Sequence, residues 1–533
     1  MMKRLALLSS ALMGSFLLAT CQATNGPDSS LSDPNIPHLR KQGTATQLIV
    51  DGQPYLARAG ELSNNAATSV EYLAPLWPSF VAAKLNTVLA GVSWAQVEPQ
   101  EGTFDFHVLD GVIRDARRHN LHLVLLWFAS YKNGSSSYPP DWLKKDIERF
   151  PRVQVAGGKS IEMLSTFSNA NRDADARAFA ALMRHVKEVD GRQHTVLMIQ
   201  VENEVGMPSD SRDRSPVANQ AYEGPVPKEL MDYLQAHKET LIPELRQVWQ
   251  AAGFQTAGTW EQVFGKGVAT DEIFMGWNLA RYVGRVAEAG KAEYPLPMYM
   301  NAWTYGFQPV QASGAPMPDL LDVWRAGAPR IDMISPDNAT NFVVMLDKYT
   351  QSGNPLFIPE ESPGAEGAAR SLYAFGRHNA IGYSRMSGGV DRLETPDTDL
   401  IGSYDLIAQL TPLILEHQGD GTMSAVLLGP DDPPQKVKVG NYTLEATYLG
   451  SRRVGPSATS PEPPLRAGAI FIATGPDEFF AAGNGMTVTF SPNTPGLPLA
   501  GLATVEEGTF VNGRWVPARR LKRAQNATKS VSL

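Results

Sequence analysis

Two glutamates that end two apolar stretches are the residues of this 533-residue chain best placed to do chemistry. Glu204 follows the apolar stretch 196–201, and Glu360 follows the stretch 356–358. One carboxylic acid can protonate the leaving oxygen of an acetal while a second carboxylate attacks the acetal carbon, provided that rigid elements aim both groups into one cleft. The pair therefore predicts cleavage of a glycosidic bond.

The elements that must position this pair are suggested by alternating short apolar runs and longer amphipathic runs, a pattern typical of strand–helix units around a parallel sheet. Eight such strands with intervening helices predict a (β/α)₈ TIM barrel, in which active sites lie at the C-terminal ends of the strands. Glu204 would then end the fourth strand and Glu360 the seventh. The predicted strands are residues 56–60, 87–92, 121–127, 196–201, 296–300, 331–334, 356–358 and 380–383.

The pattern changes after about residue 418 to short β-like runs separated by turn signals, including an Asn-Gly hairpin signal at 512–513. A smaller all-β, sandwich-like domain is predicted to follow the barrel. The predicted organisation is a signal peptide at 1–21, a linker at 22–42, the catalytic barrel at 43–418, the C-terminal β-sandwich domain at 419–522 and a tail at 523–533.

The N-terminus has the features of an export signal, because two basic residues precede an apolar run at 5–18 that is too short to span a membrane. Cys21 follows a segment that resembles a bacterial lipobox, so lipidation at Cys21 is predicted. Thr20 departs from the residue usual before that cysteine, and cleavage nearby by an ordinary signal peptidase is the alternative. We expect a periplasmic or outer-membrane lipoprotein of a Gram-negative bacterium, with the lipid anchor as its membrane contact.

Composition and charge exclude several other classes of protein. A net charge of −8 gives no basic surface for nucleic acid. One cysteine cannot form a disulfide within the chain, so packing must hold the fold in an oxidising compartment. The nine histidines show no metal-ligand spacing, and the chain has no glycine-rich phosphate loop. No cofactor and no metal are expected.

Three segments resemble known glycoside hydrolases. Residues 200–206 resemble the strand-four signature of family 35, whose members are retaining β-galactosidases with a (β/α)₈ barrel. Residues 94–106 resemble the strand-two loop shared by families 35 and 42, and residues 138–143 resemble a segment that follows strand three in family 35. The resemblance implies that Glu204 is the general acid/base and that Asn203 hydrogen-bonds to the sugar.

The choice of nucleophile lies between Glu360 and its neighbour Glu361, because adjacent residues of an extended chain point to opposite sides. Residues 360–363 resemble the family 42 segment in which the nucleophile is followed by Gln-Ser-Pro. That resemblance implies Glu360, with Glu361 as the alternative. Glu202 is interpreted as a structural carboxylate of the barrel.

A sugar site also needs a flat apolar platform and polar contacts. Trp127 and Trp303, near strand ends, are candidate stacking residues, although a large barrel also buries such side chains as core. Lys132 and Asn203 are candidate polar contacts, and Asn301 is a weaker one.

These observations and the resemblance together predict a retaining exo-β-galactosidase that releases terminal galactose from oligosaccharides or polysaccharide side chains. Its two carboxyl groups are expected about 5–5.5 Å apart. Insertions at 132–165 and 207–227 are expected to wall off the pocket and enforce exo action. The alternatives are a β-glucosidase or another retaining β-glycosidase of the same clan, and a non-catalytic envelope protein that binds carbohydrate.

Overall fold

A computed structural model describes residues 34–303, 313–337, 341–386, 388–393, 395–449, 466–495, 500–511, 513–521 and 530–533. The predicted signal peptide and Cys21 lie outside these residues. The chain divides into two units, Met1–Pro34 and Asn35–Leu533, and all elements given below belong to the second.

Strands and helices alternate through most of the described chain. The strands are β1 (His38–Gln42), β2 (Ala45–Val50), β3 (Gln53–Tyr55), β4 (Ala57–Glu61), β5 (Thr87–Ser93), β6 (His122–Lys132), β7 (Arg152–Gln154), β8 (Ser160–Leu164), β9 (Val196–Asn203), β10 (Met298–Trp303), β11 (Met333–Asp337), β12 (Phe357–Glu361), β13 (Gly382–Arg385), β14 (Met423–Leu428), β15 (Gln435–Val439), β16 (Tyr442–Tyr448), β17 (Ala467–Gly475), β18 (Glu478–Gly483), β19 (Met486–Pro492), β20 (Glu506–Val511), β21 (Arg514–Arg520) and β22 (Ser530–Ser532).

The helices lie mainly between the barrel strands. They are α1 (Val70–Leu73), α2 (Trp77–Ala82), α3 (Trp94–Val97), α4 (His107–Arg118), α5 (Asp141–Lys145), α6 (Asn169–Asp190), α7 (Pro216–Glu223), α8 (Lys228–Ala236), α9 (Pro243–Ala251), α10 (Trp260–Phe264), α11 (Val268–Glu293), α12 (Leu321–Gly327), α13 (Phe342–Tyr349), α14 (Gly364–His378) and α15 (Thr398–His417). Short 3₁₀ helices lie at Ala66–Thr68, Pro318–Leu320, Gln351–Gly353 and Val390–Arg392.

Eight parallel strands form the barrel predicted from the sequence. Neighbours in the sheet follow the order β11, β10, β9, β6, β5, β4, β13, β12, and β11 packs beside β12 to bring the two ends together. Each strand overlaps one of the eight predicted runs, so the predicted (β/α)₈ fold is confirmed. Buried aliphatic side chains fill both the interior and the layer between strands and helices, as expected for a sheet covered on both faces.

The N-terminal part of the described chain differs from the predicted linker. Strand β1 pairs antiparallel with β2, and β2 pairs with β3, so a three-stranded sheet precedes the barrel. All six residues of β2 are buried. The end of the predicted linker is therefore part of the folded unit, because its backbone satisfies its hydrogen bonds in this sheet.

The C-terminal strands form two antiparallel sheets, β14-β17-β18 and β15-β16-β19-β22, whose inner residues share one buried cluster. Strands β20 and β21 form the hairpin predicted by the Asn-Gly signal. Strand β22 lies in the predicted tail but pairs with β19 instead. These sheets give the predicted all-β C-terminal region.

Helix α14 packs closely against β14 and β17. A Cβ atom at Gly376 of α14 would lie 2.7 Å from side-chain atoms of Ala425 and Ile470, and a Cβ at Gly468 would lie 2.4 Å from the Ala369 carbonyl. Glycine at both positions therefore permits a close approach. The first helix after β12 is thus held by the C-terminal sheet.

None of the helices in the described ranges has the length and apolar character needed to cross a membrane.

Candidate active site

Polar side chains from six barrel strands converge at the C-terminal ends of those strands, where the barrel fold places active sites. The residues are Glu61 of β4, Lys132 of β6, Asn203 and the following Glu204 of β9, Asn301 of β10, Asp337 of β11 and Glu360 of β12.

Glu204 is held from both its backbone and its side chain. Its φ is +46°, and that of Glu202 is +63°, so two left-handed residues bend the chain at the strand end. The Glu204 amide donates to Asn301 Oδ1 at 2.8 Å. Its carboxylate accepts a hydrogen bond from the Asn133 amide group. This bend aims the Glu204 carboxyl into the site with 9% of the residue exposed.

A register shift in β12 separates Glu360 from Glu361. The pairing of β12 with β13 is irregular between Ile358 and Glu361, and such irregularities re-aim side chains. Glu361 accepts hydrogen bonds from the Ser362 amide and from the Arg370 guanidinium, each at 2.8 Å. Glu361 therefore pairs with α14, whereas Glu360 faces the other carboxyl groups.

Three carboxyl groups meet in this site. One oxygen from each of Glu204, Asp337 and Glu360 lies within 4.8 Å of the other two, a set that could hold a cation. The Lys132 ammonium donates to Asn203 Oδ1 at 2.7 Å and lies 4.8 Å from the centre of the Phe128 ring. The Lys132 ammonium thus places a positive charge beside the three carboxyl groups.

The electrostatics of the site favour protonated carboxyl groups. Burial and the nearby charge of Glu360 raise the pKa of Glu204 to about 8, against opposing effects of Lys132 and Asn133. Burial also raises the pKa of Glu360, while Lys132 and Asn203 oppose the shift. For Asp337, burial and Glu360 raise the pKa well above its usual value. One site thus combines an acid that is protonated at neutral pH with a carboxyl whose ionised form has two stabilising neighbours.

Glu202 belongs to a separate buried network behind β9. Its carboxylate accepts from the Tyr131 amide at 2.6 Å. Burial and the neighbouring Asp175 raise the pKa of Glu202 well above its usual value. Asp175 in turn accepts from Trp127 and Ser130. These contacts agree with the structural role inferred for Glu202 from the sequence.

The expectation of a stacking role for Trp127 is wrong. Trp127 is fully buried, and its indole donates to Asp175 Oδ1 at 2.9 Å. Its ring packs against Phe179 of α6, with 5.7 Å between ring centres. The side chain therefore points to the helix layer. Trp303 ends β10, and its side chain lies outside the described part of the structure.

Replacing Trp127 with phenylalanine should destabilise the fold and leave substrate affinity unchanged. The lost hydrogen bond leaves Asp175 short of a donor, which costs about 1–3 kcal/mol in the free energy of unfolding. Thermal unfolding and the KM of the Trp127→Phe protein measure the two effects. A several-fold rise in KM without loss of stability would restore the stacking role.

Glu61, Asn133 and Asp337 were not singled out from the sequence. Glu61 and Asp337 are the last residues of their strands, so the rule that barrel sites lie at strand ends could have found them once the strand ends were known. Asn133 lies just beyond β6, and its φ of +52° turns it toward Glu204. Asn301 was predicted only weakly, yet it contacts both the Glu204 backbone and the Asp337 carboxyl.

The loops beyond β9 and β10 are joined at the rim of the site. Met207 and Ser313 exchange two backbone hydrogen bonds, at 2.9 and 3.1 Å. The loop after β6 carries its own hairpin, β7–β8, and the Ala156 amide donates to Asp210 beyond β9 at 2.8 Å. The two insertions predicted as walls therefore contact each other.

Two parts of the chain match family models. Residues 77–268 match glycoside hydrolase family 42, described as beta-galactosidase. Residues 400–522 match a domain of unknown function, DUF5597. The first match includes Lys132, Asn203 and Glu204, whereas Glu360 lies beyond it. The match is thus to family 42, and the resemblance to family 35 stays a prediction.

Three of the individual proteins that the chain resembles are named β-galactosidases. A stretch of 131 residues is 27% identical to Beta-galactosidase GalA of Bacillus licheniformis, and it covers 23% of this chain and 18% of that enzyme. The structure resembles β-galactosidase from the psychrophilic Marinomonas ef1 with 14% identity and a TM-score of 0.46, covering 68% of this chain and 60% of that one. The structure also resembles β-galactosidase from Bacillus circulans sp. alkalophilus with 16% identity and a TM-score of 0.47, covering 68% of this chain and 57% of that one. The chain spans less than two thirds of each of these relatives.

Proposed function

We propose that this protein is a retaining exo-β-galactosidase that releases terminal β-linked galactose from oligosaccharides or polysaccharide side chains. The observation that carries the proposal is the approach of Glu204 and Glu360, with one oxygen of each within 4.8 Å of the other. Retaining glycosidases hold their two carboxyl groups about 5–5.5 Å apart, and inverting ones about 6.5–9.5 Å apart to admit a water. The short separation supports direct attack by a carboxylate.

In this mechanism Glu360 attacks the anomeric carbon and Glu204 protonates the departing oxygen. The glycosyl–Glu360 ester then reacts with a water molecule from which Glu204 takes a proton, so Glu204 returns to its acid form. Lys132 and Asn203 lie beside Glu360 and favour its ionised form. The Asn133 amide and the Asn301 side chain orient Glu204.

The match of residues 77–268 to a model described as beta-galactosidase supports galactose as the sugar. A β-glucosidase of the same clan is the nearest alternative, because the two sugars differ in the orientation of one hydroxyl group. A non-catalytic carbohydrate-binding protein is disfavoured, since a binding site has no need for an acid opposite a carboxylate. The joined rim loops support exo action.

For localisation we propose export, with lipidation at Cys21 giving a periplasmic or outer-membrane lipoprotein. The support is the basic start, the apolar run 5–18 and the lipobox-like segment before Cys21. Metabolic labelling with a clickable fatty acid, with Cys21→Ser as the control, tests this proposal.

The test of the proposed function is hydrolysis of aryl β-galactoside beside aryl β-glucoside, with the anomer of the first product read by NMR. We expect preference for the galactoside and release of β-galactose. A preference for glucoside would change the sugar and keep the mechanism. Release of the α-anomer would refute retention, and no turnover of any glycoside would favour the carbohydrate-binding protein.

The pH dependence of kcat/KM should show a basic limb near pH 8. The pKa of Glu204 is raised to about 8, so its acid form persists below that pH and is lost above it. Because the acid form must protonate the leaving oxygen, kcat/KM should fall tenfold per pH unit above the limb. Rates on an aryl galactoside across the alkaline range check this, and a flat profile through pH 9 would contradict it.

A further inference from the structure

Glu61 is a buried acid at the site to which the proposed mechanism gives no role. It is the last residue of β4, and it is fully buried. Ala57 and Ala59 of the same strand belong to the cluster in the barrel interior. Since side chains on one strand alternate between the two faces, Glu61 points inward as well.

The surroundings of Glu61 place it in the same pocket as the proposed catalytic pair. The charges of Glu360, Lys132 and Glu204 all act on the Glu61 carboxyl. In the sheet, β13 lies between β4 and β12, so Glu61 stands on the Glu360 side of the site.

Neither carboxyl oxygen of Glu61 has a hydrogen-bond partner among the described residues. A buried polar group left unpaired costs about 1–3 kcal/mol, so native proteins pair nearly all such groups. At a functional site, a bound ligand can supply the missing partner. Glu61 therefore has two unused hydrogen-bonding atoms beside the reacting carboxyl groups.

We propose that Glu61 is a specificity-determining residue of the sugar pocket, whose carboxyl hydrogen-bonds to ring hydroxyl groups of the bound galactosyl unit. The inference rests on the proposed function and adds a substrate-binding residue to it. Burial and the charge of Glu360 raise the pKa of Glu61 well above its usual value, which favours the neutral form of its carboxyl. A neutral carboxyl both donates and accepts, as a hydroxyl group does.

Deoxy substrates test this proposal. The kcat/KM of wild type, Glu61→Ala and Glu61→Gln is measured on an aryl β-galactoside and on its 3-, 4- and 6-deoxy analogues. The kcat/KM of wild type should be about 100-fold or more lower on at least one analogue than on the parent substrate. The reason is that a site built to hydrogen-bond a hydroxyl group rejects a substrate that lacks it. On the parent substrate, the kcat/KM of Glu61→Ala should be lower than that of wild type by a similar factor. On that analogue, the kcat/KM of Glu61→Ala should fall almost no further.

Ser384→Ala is the matched control. Ser384 is a buried residue of the neighbouring strand β13, its hydroxyl also lacks a partner among the described residues, and it pairs with Ala59. For this variant, the fall in kcat/KM from the parent substrate to each deoxy analogue should equal that of wild type. If Glu61→Ala also shows the wild-type fall on every analogue, Glu61 does not hydrogen-bond to the sugar and the proposal is overturned.

The stability of the free protein gives a second readout that does not depend on turnover. Glu61→Gln exchanges one polar group for another of similar size and breaks no hydrogen bond among the described residues, so its melting temperature should stay unchanged. A fall of several degrees would indicate a structural partner and contradict the proposal. If wild type itself turns over no galactoside, the proposed function has failed. If wild type is active and Glu61→Ala shows the same fall in kcat/KM on every deoxy analogue, only the role of Glu61 is refuted.

Discussion

Replacing Glu360 with alanine should lower the kcat/KM for an aryl β-galactoside by about 10⁴-fold or more, since the covalent step loses its nucleophile. Added azide should restore turnover, because the cavity left by the side chain admits a small anion on the face from which Glu360 attacks. The product should be α-galactosyl azide, the result of a single inversion. Kinetics with and without azide and NMR of the product measure both effects.

The matched control is the neighbouring Glu361→Gln. Glu361 is buried and paired with Arg370, so breaking that pair should destabilise the protein by about 3–5 kcal/mol. Below its melting temperature this variant should still turn over galactoside without azide. If Glu361→Gln is inactive and azide rescues Glu361→Ala but not Glu360→Ala, the nucleophile is Glu361.

The second large effect is expected from Glu204→Ala, and its size should depend on the leaving group. General acid catalysis contributes about 10²–10⁴-fold, and this help matters most when the departing oxygen is strongly basic. A dinitrophenyl galactoside should therefore form the covalent intermediate at nearly the wild-type rate, whereas a phenyl galactoside or disaccharide should lose most of its rate. The basic limb near pH 8 should disappear, since the residue that causes it is gone.

Azide and Glu202→Gln complete this experiment. Azide should attack the intermediate of Glu204→Ala and give β-galactosyl azide, the opposite anomer from that expected with Glu360→Ala. Glu202 lies two residues away, and burial and Asp175 favour its neutral form by raising its pKa, so glutamine should replace it with little loss of activity. Equal losses on good and poor leaving groups in Glu204→Ala would argue against its role as acid.

The barrel could be predicted because its strands are continuous apolar runs, and their short length between turn signals distinguishes such runs from buried helices. The positions of Glu204 and Glu360 at the ends of the fourth and seventh strands followed from counting those runs. The side to which Glu360 points depends on a register irregularity within β12. That irregularity is a property of the paired sheet, so alternation alone could not decide between Glu360 and Glu361.

The error at Trp127 has a similar origin. A tryptophan near a strand end can face the pocket or the helices, and its partner Asp175 lies 48 residues away in sequence. Glu61 and Asp337 were missed because the sequence around each of them gives no signal of a site. Each is a single acid that ends a short strand, and no local pattern marks it until the barrel brings the strand ends together.

The close contact between α14 and the C-terminal sheet bears on how the chain can be shortened. Helix α14 begins three residues after β12 ends, and it carries Arg370, the partner of Glu361. A chain cut at residue 418 would expose the apolar face that α14 now shares with Ala425 and Ile470. We infer that the barrel and the sheets fold as one cooperative unit. Loss of turnover in such a truncated protein would therefore indicate that β12, the strand that carries Glu360, is no longer held in place, and not that a carbohydrate-binding module is missing.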